Sequence, residues 1–548
     1  MSRKRMEQAW DEIGETDVRH ATALALLVGF MALIGSGPLA TLAAGLRGES
    51  HFDTRISLDP TGDGGDWSLF AANRRLLEAI NELSGFLERD NWLATVMRPS
   101  AQSLLTKLGA GTEQVLQGRD GWLFFKPDVD HVIGPGFLRE SQLARRAAIG
   151  DTVTEPPQPD PRVALRDFAE ELAGRNVALV VVPTPVKPAV HPEHLARGLR
   201  IEQGVVNPSR DRFLRELREA GILVFDPLPV MLAIKPGTGT PLFLATDTHW
   251  RPETVEAMAS RLAAFVDEHV ELPSLPSPDY RVRETVVSNT GDTAGLLDLP
   301  RPDGHYPKER VSVRTIETAS GEPWRPEVSA DVLVLGDSFS NVFSSGAMGW
   351  GESGGLVEQL SYEMRRPLDR LARNDDGAFA SRQMLADELR RGRDRLQGKR
   401  LVVYQFTERE LSQGDWKLLD LGEPPATIET FLRPGGGGPI VVRGVIADIA
   451  PAPRPGSVPY KDHIIAVHLV DLETEDSSAA SRQALVFMWS MRDNVPTPAA
   501  RYRAGQSVHL RLTPWSEVSD ELDRINRAEL PDDSIRLAPP WWGEPVGQ

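Results

Sequence analysis

Unbroken apolar runs alternate with amphipathic stretches through the middle of the chain. Val177-Ala-Leu-Val-Val-Val-Pro183, Ile222-Leu-Val-Phe-Asp226, Asp331-Val-Leu-Val-Leu335 and Arg400-Leu-Val-Val-Tyr-Gln-Phe406 are too short for helices and too continuous for half-exposed strands. Among them, residues 162–174, 209–220, 252–269, 354–372 and 381–397 repeat apolar positions at helical spacing. Strands buried on both faces and interleaved with helices predict an α/β domain with a mostly parallel sheet. Ligands of such sheets gather beyond the carboxyl ends of the strands. Upstream, residues 66–107 place Leu69, Leu76, Leu77, Ile80, Leu83 and Leu87 at helix-like intervals. Gly118-Arg-Asp-Gly-Trp-Leu-Phe-Phe125 predicts a turn and a short aromatic strand, and the prolines of 150–161 predict a loop.

The pattern changes at Arg433-Pro-Gly-Gly-Gly-Gly-Pro439, a linker by composition. Beyond it, Ile440–Ile449, His463–Asp471, Gln483–Trp489 and Val508–Leu512 are short strands separated by Pro/Gly loops. They predict an all-β C-terminal domain, either an OB-like barrel or a β-sandwich.

The N-terminal apolar stretch changes the cellular picture. No residue from Ala21 to Leu46 is charged, and as a helix this stretch spans about 39 Å, against about 30 Å of bilayer hydrocarbon. It is longer than a secretory signal core, so a retained transmembrane anchor is expected. Arg3, Lys4, Arg5 and Arg19 precede it and Arg47 and Arg55 follow it, which favours a cytoplasmic N-terminus and an exported remainder. A buried core helix, or cleavage near Leu42-Ala-Ala44, is the alternative. The formal charge of −17 argues against a nucleic-acid partner and against tight binding of a polyanion. The absence of cysteine removes disulfides and thiolate chemistry.

Two short motifs carry candidate chemistry. Gly336-Asp-Ser338-Phe follows the apolar run 331–335, where a serine at the end of a buried strand is presented to solvent. Asp247-Thr-His249-Trp250 lies about 90 residues upstream. A serine hydroxyl needs a base, and the base needs a carboxylate on its other ring nitrogen. Asp247 and His249, two residues apart, project to one side in extended or turn geometry, with Thr248 pointing elsewhere and Trp250 able to wall a pocket. A solvated loop with a structural histidine is the bland alternative. A metal at Asp247 and His249 lacks a third ligand at a convincing spacing, so no metal is expected.

Taken together, these motifs resemble a known family. Gly336-Asp-Ser-Phe-Ser340 with Asp247-Thr-His-Trp250 is similar to the SGNH hydrolase-like domain of the alginate O-acetyltransferase proteins of the AlgJ and AlgX type. Gly118–Phe125, Val182-Pro-Thr-Pro-Val-Lys187 with Pro192-Glu193, Gly291-Asp-Thr-Ala-Gly-Leu-Leu297 and Val402–Glu410 match in order over residues 115–412. The pair precedes the serine, as in this permuted family and unlike ordinary SGNH enzymes. The resemblance implies Ser338 as nucleophile, His249 as general base and Asp247 as its orienting acid. It implies an acetyl-serine intermediate fed by a membrane-bound O-acyltransferase and attacked by a polysaccharide hydroxyl, with no cofactor. The Ser338 N–H is one candidate oxyanion donor. The turn Asn374-Asp-Asp-Gly377 and Asn341 are others, and Arg409 is a candidate substrate contact.

Glu408 reads first as an ion-pair partner, and Lys187 remains ambiguous. Trp489, Trp515, Trp541 and Trp542 read as β-domain packing or, alternatively, as sugar platforms; His463, His468 and His509 read as structural. The expected layout is a tail at 1–20, an anchor at 21–46 and a helical lead-in at 47–114. An SGNH-like acetyltransferase domain follows at 115–430, a linker at 431–439 and a β-domain with candidate carbohydrate binding at 440–548. The expected protein is a single-pass inner-membrane, periplasmic polysaccharide O-acetyltransferase. An acetylesterase with the same triad and a non-catalytic carbohydrate-binding scaffold are the alternatives.

Overall fold

The computed structural model describes residues 27–28 and 92–546, except for 149–156, 199–203, 298, 375–376, 391–393, 423–430, 435–437, 454–457, 459, 475–482 and 531–532. The expected anchor at 21–46, save Leu27 and Val28, and most of the loop at 150–161 lie outside the described residues. Among the described residues, no helix is long and apolar enough to cross a membrane. The described residues up to Leu108, with Leu299 and Pro300, belong to one unit, in which Trp92–Lys107 is a helix. The remainder is a second unit, described from here on.

Its strands are β1 (Val115–Gln117), β2 (Leu123–Phe125), β3 (Ala178–Thr184), β4 (Leu223–Val224), β5 (Arg281–Asn289), β6 (Glu309–Glu317), β7 (Val332–Gly336), β8 (Asp369–Ala372) and β9 (Leu401–Thr407). A five-stranded sheet runs β4-β3-β9-β7-β8, with every pair parallel. All residues of β7 and β9 are buried, as their unbroken apolar character requires. Two helices begin where an aspartate caps the first turn ahead of a proline. Asp160 accepts from Arg162 N–H before Pro161–Gly174, and Asp226 accepts from Leu228 N–H before Pro227–Thr238.

One sequence expectation is corrected here. The helix read over 354–372 stops at Met364; Arg365 takes φ +53°, Pro367 follows, and 369–372 is the edge strand β8. Proline disfavours helix at the residue before it, which explains the break. The antiparallel hairpin of β5 and β6 was not anticipated either.

Counted from β7, the sheet order reads 2-1-3-4-5, a doubly wound arrangement whose crevice opens between the first and third strands, here β7 and β9. The chain starts this sheet with its fourth strand, so residues after β3 precede those after β7. That order is why the Asp247/His249 pair comes before Ser338.

The C-terminal region adds β10 (Ile440–Ile449), β11 (His463–Thr474), β12 (Gln483–Arg492), β13 (Val495–Pro496), β14 (Ser507–Pro514), β15 (Asn526–Ala528) and β16 (Pro540–Pro545). Pairing runs β12-β16-β14-β10-β11 and returns from β11 to β12, which closes a five-stranded barrel. The barrel alternative therefore holds over the sandwich. Trp541 and Trp542 lie on the closing strand β16, and both are buried with Trp515 in the barrel core. Phe431 and Leu432, upstream of the glycine run, also pack in that core. The barrel abuts the parallel-sheet region through Lys461 N–H to Ala347 O (3.3 Å) and Arg524 to Ser344 O (3.3 Å).

Trp541 Nε1–H also donates to Leu432 O at 2.9 Å. Trp541→Ala is expected to destabilise the barrel by about 3–5 kcal/mol, whereas Trp541→Phe leaves mainly one carbonyl unpaired and costs about 1–2 kcal/mol. Denaturant unfolding followed by near-ultraviolet circular dichroism measures both.

Candidate active site

β7 ends in Gly336, and the chain turns at once into the short helix Ser338–Asn341. A Cβ at Gly336 would lie 2.3 Å from Ser340 Oγ and 3.3 Å from Gln405 Oε1, so only glycine fits. Asp337 caps the helix, its Oδ1 accepting from Phe339 N–H at 2.9 Å. Its Oδ2 accepts from Thr407 N–H at 2.7 Å and Thr407 Oγ1 at 2.5 Å. Gln405 of β9 accepts from Asp337 N–H at 3.1 Å and Ser340 Oγ at 2.6 Å, and donates to Asp337 Oδ1 at 2.9 Å. The aspartate of the Gly-Asp-Ser motif is thus a staple that fixes the serine turn over β9.

The histidine sits on a tight loop closed by Leu244 N–H to His249 O at 3.1 Å. Asp247 Oδ1 accepts from His249 Nδ1–H at 2.6 Å and from the His249 backbone N–H at 3.0 Å. Its Oδ2 accepts from Trp350 Nε1–H at 2.7 Å and Asp292 N–H at 2.9 Å. With Nδ1 donating, Nε2 is left as the acceptor nitrogen. That atom is buried and has no hydrogen-bond partner among the described residues.

Burial opposes a charged ring at His249, but the Asp247 carboxylate outweighs it and raises the pKa above the ordinary imidazole value. Burial alone would raise the Asp247 pKa. The facing imidazole and the bond from Trp350 instead hold it well below the usual carboxylate range.

Lys187 braces this loop from within the core. Its ammonium donates to Leu123 O, Leu244 O and Ala245 O at 2.6, 3.0 and 3.2 Å, and burial pulls its pKa down to about 8. Trp250 does not wall a pocket. It is fully buried, donates to Phe339 O at 3.0 Å and so ties the histidine loop to the serine turn.

Ser338 and His249 line one cavity of about 250 Å³, together with Thr248, Asp292, Met348 and Asn374. Thr248 therefore faces the cavity and not away from it. Gly377 and Arg409 line the cavity as well. Asn341 does not; it is buried behind the wall and donates to Asn374 Oδ1 at 2.8 Å, so Asn374 presents its amide in place of Asn341. Arg409 pairs with Asp128 Oδ1 at 3.1 Å and lies 3.6 Å from Glu410 Oε1. Glu408 points away, to Arg210 Nε at 2.6 Å, and burial raises its carboxyl to about 7.

Asp292 is the residue the motif reading missed. Its Oδ1 and Oδ2 accept from Thr248 N–H and Oγ1, each at 2.7 Å, and Oδ2 lies 3.5 Å from His249 Nδ1. Burial first, then the Asp247 charge, push its pKa up to about 6. Its sequence signal is the phrase Gly291-Asp292, whose match to the family marks the position without revealing its partner.

Asp292 also supplies the third carboxylate or imidazole group that sequence spacing did not offer. Asp247, His249 and Asp292 bring ligand-type atoms within 4.8 Å of one another, as do His191, Glu193 and His194. In the first group every carboxylate oxygen already accepts hydrogen bonds. In the second, Glu193 Oε1 accepts from His191 at 3.0 Å and from Lys235 at 2.7 Å. Hydrogen bonding thus occupies these carboxylate oxygens, while His249 Nε2 and His194 Nδ1 carry no hydrogen bond among the described residues.

The chain is 29% identical over 343 residues to a protein of Pseudomonas aeruginosa described as probable alginate O-acetylase AlgJ, covering 60% of this chain and 77% of that protein. It is 26% identical over 245 residues to the AlgJ of Azotobacter vinelandii with the same description, spanning 56% of its length. Among solved structures, the O-acetyltransferase domain of Pseudomonas putida AlgJ superposes with a TM-score of 0.40 at 20% identity, covering 54% of this chain and 92% of that one. Pseudomonas aeruginosa AlgX gives a TM-score of 0.36 at 13% identity, covering 78% and 90%. Residues 115–408, just over half of the chain, match the SGNH hydrolase-like domain of the acetyltransferase AlgX, and the chain belongs to that family of acetyltransferases.

Proposed function

We propose that this chain is a polysaccharide O-acetyltransferase acting through an acetyl-Ser338 intermediate. The observation that carries the reading is His249 Nε2, buried, unbonded and lining the same cavity as Ser338, with Nδ1 held by Asp247. In the first half-reaction Ser338 Oγ attacks the acetyl carbonyl of an ester donor while its proton passes to His249 Nε2. The tetrahedral adduct collapses, the donor oxygen leaves with that proton, and acetyl remains on Ser338. In the second half-reaction a sugar hydroxyl gives its proton to Nε2 and bonds to the acetyl carbon. The Ser338 Oγ–C bond then breaks, and the serine recovers the proton.

Ser338 N–H, Gly377 N–H and the Asn374 amide are the donors for the oxyanion. Arg409 holds the Asp128 side of the cavity. The apolar segment 21–46 anchors the chain in the inner membrane, with the catalytic domain in the periplasm. A membrane-bound O-acyltransferase supplies the acetyl group, so no cofactor is needed in the site itself.

The test incubates the full chain with an acetyl-ester donor and an oligosaccharide acceptor. Acetylated sugar, with a mass increment of one acetyl on Ser338 when acceptor is withheld, is the expected result. Acetate release without sugar acetylation would make the enzyme an esterase. An unmodified Ser338 would remove the covalent mechanism.

A further inference from the structure

Two residues that line the cavity, Met348 and Asn374, stand on segments that the C-terminal region grips. Met348 follows Ala347, which packs in the barrel core and whose carbonyl accepts from Lys461 N–H at 3.3 Å. Arg524 donates to Ser344 O at 3.3 Å, and Ser344 Oγ donates to Ser340 O at 3.2 Å, inside the short helix that begins with Ser338. Asn374 lies two residues past the end of β8, directly after Arg373.

Arg373 is held from two sides. Its backbone N–H donates to Gly336 O at 3.1 Å, two residues before Ser338, and its guanidinium Nη2 lies 3.6 Å from Glu529 Oε1. Glu529 is fixed in turn, its Oε1 accepting from Arg527 Nε at 2.7 Å. The Arg527 guanidinium sits over the rings of Phe487 at 4.2 Å and Trp515 at 5.2 Å, both in the barrel core. Contacts therefore run unbroken from the barrel core to the residue beside Asn374. Arg373 and Arg527 are buried and the Glu529 side chain is only 16% exposed, so solvent screens this link little and removing one member strands a charge.

The amide at the end of that link has one task left. Asn341 donates to Asn374 Oδ1 at 2.8 Å, which leaves the Asn374 Nδ2–H groups for the cavity. A donor stabilises an oxyanion only when it stands within hydrogen-bond distance of the place where the charge develops, and a misplacement of about 1 Å is costly. On the proposed transferase reading, we propose that Arg373 and Glu529 are positioning residues: through them the C-terminal barrel sets the place of the Asn374 oxyanion donor and so completes the active site.

The test follows the rate and the final extent of Ser338 acetylation in the full chain by 4-nitrophenyl acetate, with acceptor withheld. Arg373→Met cuts the link without altering the C-terminal region, and Glu529→Gln cuts it without altering the parallel-sheet region. Each is expected to lower the rate constant at saturating ester about tenfold with the half-saturating concentration unchanged, because the donor acts only in the transition state. Both together are expected to cost no more than either alone, since they break one link. Asn374→Ala is expected to lose about 10²-fold by itself, and adding Arg373→Met or Glu529→Gln to it to cost nothing further. Losses that persist in full in the Asn374→Ala background would overturn the inference, as would wild-type rates in both single variants. A lower final extent at an unchanged rate constant would make the pair a brace for the fold alone and would overturn it too. Failure of the transferase reading looks different: Ser338 of the wild-type chain would gain no acetyl from the ester.

Discussion

His249→Ala is expected to lower acetyl transfer by about 10⁴- to 10⁶-fold, and adding Ser338→Ala to it to lower the rate little further. The reason is that the two side chains act as one unit. Ser338 is a weak nucleophile until Nε2 takes its proton, and Nε2 makes no hydrogen bond among the described residues that would give the imidazole a separate task. What survives in either single variant is the contribution of the oxyanion donors and of binding, and both remain in the double variant. Acetylated oligosaccharide formed from donor and acceptor, quantified over long incubation in each variant, measures the effect, with far-ultraviolet circular dichroism confirming the fold. Additive losses would show that the serine and histidine work independently.

The sheet was legible because its inner strands are apolar on both faces, so β3, β7 and β9 stand out at 178–184, 332–336 and 401–407. β8 was not, because its burial is polar. Asp369 is fully buried on Arg395 and Lys399, and Arg370 pairs with Glu358 at 2.8 Å, so ion pairs replace the apolar run that marks a strand. β16 escaped for another reason. Pro540-Trp-Trp-Gly-Glu-Pro545 has the look of a tail, and only closure against β12 and β14 makes it a strand. In the site, Asp247 and His249 were readable from their two-residue spacing, which local geometry alone brings together. Asp292 and Trp350 reach the same pair from 45 and 103 residues away, and no local pattern encodes that approach. Asn341 was misplaced by proximity in sequence to Ser338; the short helix turns it behind the wall, onto Asn374.

Asp247→Asn and Asp292→Asn are expected to separate two kinds of carboxylate. Asp247 fixes the tautomer through the 2.6 Å bond from Nδ1–H. An asparagine amide turned toward Nδ1 would donate, put the proton on Nε2 and leave no base for Ser338, so a loss of about 10⁴-fold in kcat is expected. Asp292, 3.5 Å from Nδ1, acts through charge and through Thr248. Its negative charge stabilises the imidazolium, and removing it lowers the His249 pKa. A base works in its neutral form, so the acid limb of the wild-type pH–rate profile lies above the ordinary imidazole value, and in Asp292→Asn it moves toward lower pH. On the alkaline plateau of each profile, where His249 is neutral in either protein, activity then falls far less than in Asp247→Asn. The pH dependence of kcat/KM for acetylation of Ser338 by the donor measures both. An acid limb that stays in place in Asp292→Asn would reduce that residue to a brace for Thr248, without electrostatic reach to the base.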